Sequence, residues 1–218
     1  IVYGDQRLSF EEVWQRACQL ARALHDDYGV RKGDRVAIAL RNYPEWMIAF
    51  CAATSIGAIA VGMNALWQPH EMEYALNHCG ARALFADQER LDRLQACREL
   101  PAGLGVIGVR ATGALPPGAR DFDEVLRAYA PADQMPAVDM HPNDDAIMFY
   151  TSGSTGHPKG AVSSHRNILS ALLSWELDGH AAVLTGLVAA PEPDAPKGAT
   201  LLAIPLFHVT GLHAVYLS

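Results

Sequence analysis

Apolar residues recur at helical spacing from Phe10 through Val13, Trp14, Ala17, Leu20, Ala21 and Leu24, the stripe expected of one buried helix face. Ser9 followed by Glu12 is a capping-box pair that opens this helix, and Gly29 closes it. Downstream the period alternates. Arg35–Leu40 reads as a strand, Pro44 opens a helix, Ala58–Met63 is a buried strand, Pro69–Cys79 is a helix ended by Gly80, Ala83–Ala86 is a strand and Gln88–Leu100 a helix. Val106–Val109 adds a strand, Ala111–Ala119 is a Gly- and Pro-rich loop, and Asp121 with Glu124 opens a short helix. Such alternation predicts an α/β fold of mostly parallel sheets with helices on both faces.

Pro131–Asn143 is the expected internal linker, dividing the chain into a first α/β subdomain (1–130), a linker (131–145) and part of a second subdomain (146–218). In that last part, Ala146–Tyr150 is a strand running straight into a Gly/Ser/Thr loop, and His165–Leu177 has helical spacing. Pro191–Gly198 is a polar loop, and Thr200–Ile204 reads as a strand leading to Pro205. No internal repeat is visible.

Charge removes some functions. The 17 basic and 24 acidic residues give a net charge of −7 over 218 residues, and no Lys/Arg run offers the basic patch that nucleic acid or an anionic membrane requires. An apolar fraction of 50% supports a sizeable core and leaves little room for extended disorder. Trp46 to Trp67 carries no charge and reaches bilayer length, but Thr54, Ser55, Gly57, Gly62 and Asn64 interrupt it. It reads as a helix and a buried strand, so no transmembrane segment is expected. Cys18, Cys51, Cys79 and Cys97 form no CxxC and sit among apolar residues of helical segments, as buried thiols of a reducing compartment do.

Three motif readings fail on context. Gly103-Leu104-Gly105-Val106-Ile107-Gly108 matches GxGxxG, yet a helix precedes it and a loop follows, so it reads as a helix-to-strand turn. His157, His165, His180, His208 and His213 invite a metal reading, but no carboxylate lies at ligand spacing beside His208 and His213, and no metal site is expected. No GxSxG elbow surrounds Ser152 or Ser154.

Thr151-Ser152-Gly153-Ser154-Thr155-Gly156-His157-Pro158-Lys159-Gly160 survives this test, because glycines expose backbone N–H groups, hydroxyls donate hydrogen bonds and one ammonium supplies charge. That is the chemistry of a polyphosphate grip. It is not a Walker A loop, since Pro158 and Gly160 stand where that pattern needs Gly and Ser/Thr. A surface loop of small polar residues is the alternative with the same composition.

Read with Tyr150 in front, this loop resembles the signature of the acyl-adenylate-forming (AMP-binding) superfamily, which includes acyl-CoA ligases, luciferases and adenylation domains of nonribosomal peptide synthetases. Tyr3-Gly4-Asp5 through Ser9-Phe10-Glu11-Glu12 is similar to the family's opening, and Pro205-Leu206-Phe207-His208-Val209-Thr210-Gly211 to its substrate-pocket motif. Ser163-Ser164-His165-Arg166-Asn167 is similar to the helix start that follows the loop in acyl-CoA ligases, and a bacterial fatty-acid–CoA ligase is the nearest type.

The resemblance implies roles. Thr151, Ser152, Gly153, Ser154, Thr155, Gly156 and Lys159 would hold the β- and γ-phosphates of ATP, with Lys159 and His208 as catalytic residues. His208, Thr210 and Gly211 would line the acid site. A carboxylic acid, expected to be fatty, would be activated to an acyl-adenylate and captured by coenzyme A in the cytoplasm. Leu212 stands where bacterial fatty-acyl ligases often place Trp, which leaves acyl-chain length open. The adenine, ribose and Mg²⁺ motifs and the C-terminal lid would lie beyond Ser218. A chain that starts at Ile1 and stops inside the apolar run Leu212–Leu217 reads as a fragment, expected to make no acyl-CoA alone and to favour self-association as a homo-oligomer. A peptide-synthetase adenylation domain is the alternative enzyme, and a non-catalytic interaction module the alternative of another class.

Overall fold

The computed structural model describes residues 1–151, 157–190, 192, 194–195 and 198–217. A short hairpin of β1 (Val2–Tyr3) and β2 (Gln6–Arg7) leads into α1 (Phe10–Asp26). The capping box forms as expected: Glu12 N–H donates to Ser9 Oγ at 3.1 Å, and Ser9 N–H donates to the Glu12 carboxylate at 2.7 Å. Val13, Ala17, Leu20, Ala21 and Leu24 point into the core, whereas Phe10 and Trp14 turn outward. Trp14 instead donates its indole N–H to the Asp133 carbonyl at 2.8 Å, tying the 131–145 segment to α1.

Helix and strand then alternate through β3 (Arg35–Ala39), α2 (Pro44–Ser55), β4 (Ile59–Gly62), α3 (Pro69–Cys79), β5 (Ala81–Asp87), α4 (Gln88–Gln95), β6 (Gly105–Val109), β7 (Arg120–Asp121) and α5 (Phe122–Arg127). After residues without regular structure come β8 (Asp145–Thr151), β9 (Lys159–Ser164), α6 (His165–Leu184) and α7 (Val209–Leu217). The sheet order is β7-β6-β5-β3-β4-β8-β9, with β9 antiparallel to β8 and the other neighbours parallel. β8 pairs with β4, so the strands on either side of 131–145 share one sheet.

Helices cover both faces. On one, α1, α2 and α5 bury Leu20, Leu24, Trp46, Ile48 and Phe122 against Ile38 and Phe85; on the other, α3 and α4 bury Met72, Leu76 and Leu91 against Val61 and Leu84. Each such side chain contributes about 1.5–3 kcal/mol by leaving water. The charge-free stretch from Trp46 to Trp67 divides between α2 and β4, and no helix among the described residues is long and apolar enough to cross a membrane.

Three expectations need correction. α4 stops at Gln95 rather than Leu100, because Glu73 accepts from Arg98 N–H at 2.7 Å and Asn77 donates to the Glu99 carbonyl at 2.9 Å, drawing these backbone groups away from a helix. Pro101 also disfavours helical geometry at the residue before it. Cys97 consequently lies outside a helix, and both it and Cys51, which stays within α2, are half-buried rather than buried. Thr200–Ile204 is not a strand. A strand needs a neighbour for its backbone groups, and this run pairs with none of the described strands, leaving Leu201 93% exposed.

Candidate active site

The loop read as a phosphate grip joins β8 to β9, a strand the sequence did not announce. Lys159–Ser164 holds one large apolar residue, Val162, and sits at the sheet edge with a mostly exposed face, so it shows no buried-strand pattern. Thr151 is the register partner of Lys159, and its hydroxyl donates to the Lys159 carbonyl at 3.4 Å. The threonine and the lysine therefore face each other across the mouth of the hairpin. Both are exposed, and among the described residues Lys159 has no ion-pair partner. Ser152, Gly153, Ser154, Thr155 and Gly156 lie outside the described residues. Gly160 lies close under Met148, where a Cβ would stand 2.6 Å from Sδ, so a larger residue there would have to push the methionine side chain aside.

His208 was expected at a strand end; the structure puts it in a turn directly before α7. His208 N–H donates to the Pro205 carbonyl at 3.1 Å, and Leu212 N–H to the His208 carbonyl at 3.1 Å. The imidazole is exposed and lies 4.7 Å, centroid to centroid, from the Phe207 ring. Thr210 is exposed beside it, whereas Gly211 is buried and a Cβ there would collide with the Pro205 carbonyl oxygen. That collision accounts for the glycine by packing alone.

Two residues that sequence reasoning missed fix this turn. Asn42, just past β3, donates through Nδ2 to the Ile204 carbonyl at 2.8 Å and accepts from Leu206 N–H at 2.9 Å, holding a segment that lacks a strand partner of its own. As a polar residue after a strand it reads like any turn residue. Gly62 ends β4, where a Cβ would stand 2.9 Å from the Phe149 ring and 3.4 Å from Phe207 Cα. A glycine inside an apolar strand is the available signal for such close approach.

At Gly62 the two motifs converge. Gly62 is the register partner of Phe149, two residues before Thr151, and Phe207 beside it carries His208. Both motifs thus reach the carboxyl ends of β4 and β8, the edge where open α/β sheets hold ligands. A groove of ≈ 520 Å³ beside Phe207 is lined by Arg41, Asn42, Tyr43, Leu66 and Pro205. No hydrogen bond joins His208 to Lys159 among the described residues. The other histidines are dispersed: His157 stacks on Tyr74, His180 bonds the Glu176 carbonyl and His213 meets Trp175 edge-on. Among the described residues no group of three His, Cys, Asp or Glu could hold a metal ion.

The family profile of AMP-binding enzymes matches residues 1–218. The chain belongs to the AMP-binding enzyme family. Among relatives, 4-coumarate--CoA ligase 3 of Oryza sativa subsp. japonica is 33% identical over 192 residues, covering 87% of this chain and 31% of the relative. Long-chain-fatty-acid--CoA ligase FadD13 of Mycobacterium tuberculosis is 31% identical over 214 residues, covering 98% and 38%. The crystal structure of the anthranilate CoA ligase AuaEII with anthranoyl-AMP superposes at a TM-score of 0.72 with 31% identity, covering 79% of this chain and 32% of that one. This AMP-binding chain spans between 31% and 39% of the length of such curated relatives. In the AMP-binding chain, then, the hairpin mouth at Thr151 and Lys159 and the turn at His208 are the described parts of the two motifs.

Proposed function

We propose that the intact protein carrying this chain is an AMP-forming acid–CoA ligase. The acid's carboxylate oxygen attacks the α-phosphorus of ATP, pyrophosphate leaves, and the thiol of coenzyme A then takes the acyl group and releases AMP. The observation that carries the reading is the meeting of the β8–β9 hairpin and the Pro205–Gly211 turn at Gly62. An exposed ammonium with no carboxylate partner among the described residues, set opposite a hydroxyl, fits a polyphosphate. ATP supplies the leaving group; Thr151 and Lys159 bind and orient its phosphates as negative charge moves onto pyrophosphate. Ser152–Gly156 would extend this grip. His208 would hold the incoming carboxylate, with Thr210 and Gly211 lining its site. Among the described residues no group of three acidic, His or Cys side chains is gathered to hold Mg²⁺.

The division into 1–130, 131–145 and 146–218 is proposed as the first part of the enzyme's large domain, with the lid elsewhere in the parent. Fatty acids are the proposed substrates, supported by similarity to FadD13 along 98% of the chain. Aryl acids are the second reading, favoured by the 33% identity to 4-coumarate--CoA ligase 3. The proposed location is the cytoplasm, supported by the free thiols of Cys18, Cys79 and Cys97. ATP–pyrophosphate exchange by the intact protein, run with fatty and aryl acids, tests all of this. Exchange that needs a fatty acid is expected; exchange only with aryl acids transfers the substrate reading, and none with any acid removes the ligase reading.

A further inference from the structure

Both ends of the phosphate loop meet α3. Tyr74 and His78, one helical turn apart, share a face, and their rings stack at 5.3 Å and 22°. Tyr74 also stacks against His157 at 4.9 Å and 26°, which anchors the chain two residues before Lys159. His78 Nδ1 lies 2.9 Å from the Tyr150 hydroxyl, which anchors the chain one residue before Thr151. The Tyr150 hydroxyl donates its single proton to the Ala75 carbonyl at 3.1 Å, so its oxygen accepts from His78 and Nδ1 carries the hydrogen. Trp67 closes against the Tyr150 ring edge-on at 5.3 Å. Burial pushes the Tyr150 hydroxyl well above its ordinary pKa, so it keeps the proton it donates.

We propose that Tyr74 and His78 are positioning residues, a clamp on α3 that fixes Thr151 and Lys159 for the triphosphate of ATP; this rests on the ligase reading above. Among the described residues β9 is an edge strand paired with β8 alone, so pairing within the hairpin sets the spacing of Thr151 and Lys159 but not their place over the sheet. The α3 stack supplies that second constraint. A pre-placed ammonium loses less freedom when polyphosphate binds, so the clamp acts on ATP affinity rather than on the acid. Among the described residues no hydrogen bond or ring contact joins Tyr74, His78, His157 or Tyr150 to His208 or Asn42, and Leu206 and Phe149 pack in the cluster on one face of the sheet while Trp67 and Tyr150 pack in that on the other.

The test is acid-dependent ATP–pyrophosphate exchange by the intact protein, with KM for ATP and for the acid measured separately. Tyr74→Ala is expected to raise KM for ATP about three- to tenfold, the worth of one aromatic pair, with KM for the acid within twofold. Tyr74→Phe should restore the wild-type value, because stacking and not the hydroxyl is the contact. Alanine is a good helix former, so folding is kept, and the melting temperature of each variant checks it. In the apo protein the His157 ring protons should resonate upfield under the Tyr74 ring and return downfield in Tyr74→Ala. An unchanged KM for ATP in a folded Tyr74→Ala protein overturns the clamp while leaving the ligase reading intact. Absence of exchange in the wild type with every acid overturns both.

Discussion

α1 and α6 begin alike and end in different environments. Each opens with a serine box, Ser9 with Glu12 and Ser164 with Asn167, in which the side chain and backbone of both partners are mutually bonded. α1 then buries seven residues, while α6, at 20 residues the longer helix, buries none. Leu169, Leu173 and Leu177 form a stripe at i, i+4 and i+8 that stays exposed, Leu173 by 62%. Local signals therefore suffice to start a helix, whereas burial needs a neighbouring surface. α1 has α2 and α5 beside it; among the described residues nothing covers the α6 stripe. The two regions divide the labour accordingly, with stability held by the layers around β3–β6 and the candidate chemistry carried by the segment from β8 onward.

The largest expected effect tests that division on stability. Leu20→Ala removes a side chain with no exposed surface and should cost about 2–5 kcal/mol by urea unfolding. Leu173→Ala on α6 should stay within about 0.5 kcal/mol. Equal losses at the two sites would show that the α6 stripe is packed in solution.

Kinetics should divide the other way. Lys159→Ala in the intact protein should lose about 2–4 kcal/mol of transition-state stabilisation in ATP–pyrophosphate exchange, the worth of the charge-assisted contact to the leaving group that is proposed for it. His208→Ala should change exchange kinetics more than melting temperature, since its ring is exposed and touches chiefly Phe207. A severe fall in melting temperature with normal rates in the folded fraction would make His208 a structural residue. Leu20→Ala should leave the rate of the folded protein unchanged.

The caps come next in size. Ser9→Ala and Ser164→Ala should each cost about 0.5–2 kcal/mol of helix stability. The α1 loss should appear in global unfolding, because α1 is built into the core. The α6 loss should appear as faster amide exchange in the first turn of α6, with global stability little changed. A global loss from Ser164→Ala would break the contrast between the helices.

Legibility in the sequence follows the same contrast. From Ser9 to Gln95 the period, the caps and the glycines agree with the packing, and the α3 ends at Pro69 and Gly80 match to the residue. Their burial makes periodicity informative. β9 and Thr200–Ile204 were misread in opposite directions for one reason. Strand formation is decided by an available partner: β9, polar and exposed, pairs with β8, and the apolar Thr200–Ile204 finds no edge. At the candidate site, Thr151, Lys159 and His208 stood out in the sequence by residue type and motif, and their roles are proposals. Asn42, Gly62 and the α3 clamp did not, because their partners lie far away in sequence, Asn42 reaching Leu206 and Tyr74 reaching His157.

The smallest expected effect separates the two helix starts by pH. In α1 the box partner titrates: hydrogen bonds from the Ser9 backbone and then its side chain hold Glu12 below its ordinary value of 4.5. A carboxylate with a lowered folded pKa stabilises above the unfolded value, and the contribution is lost as pH falls through the folded pKa. The α6 box uses Asn167, which does not titrate. Its sensitive group is His165, the first helical residue, whose Nε2 is buried without a partner and whose pKa burial holds below 6.5 against the opposing pull of Asp144. The unfolded chain then binds the proton more readily, so stability at this helix start is lost as pH falls below about 6.5, and a cation at a helix N-terminus adds to the loss. Amide exchange corrected for intrinsic rates should therefore show the first turn of α6 loosening between pH 7 and pH 5.5 while α1 holds until below pH 4.5. His165→Ala should remove the first step and Glu12→Gln the second. Protection of Asn167 and Ile168 that is flat from pH 7 to 5.5 in the wild type would mean that His165 already sits in water, and α6 would then differ from α1 in burial alone.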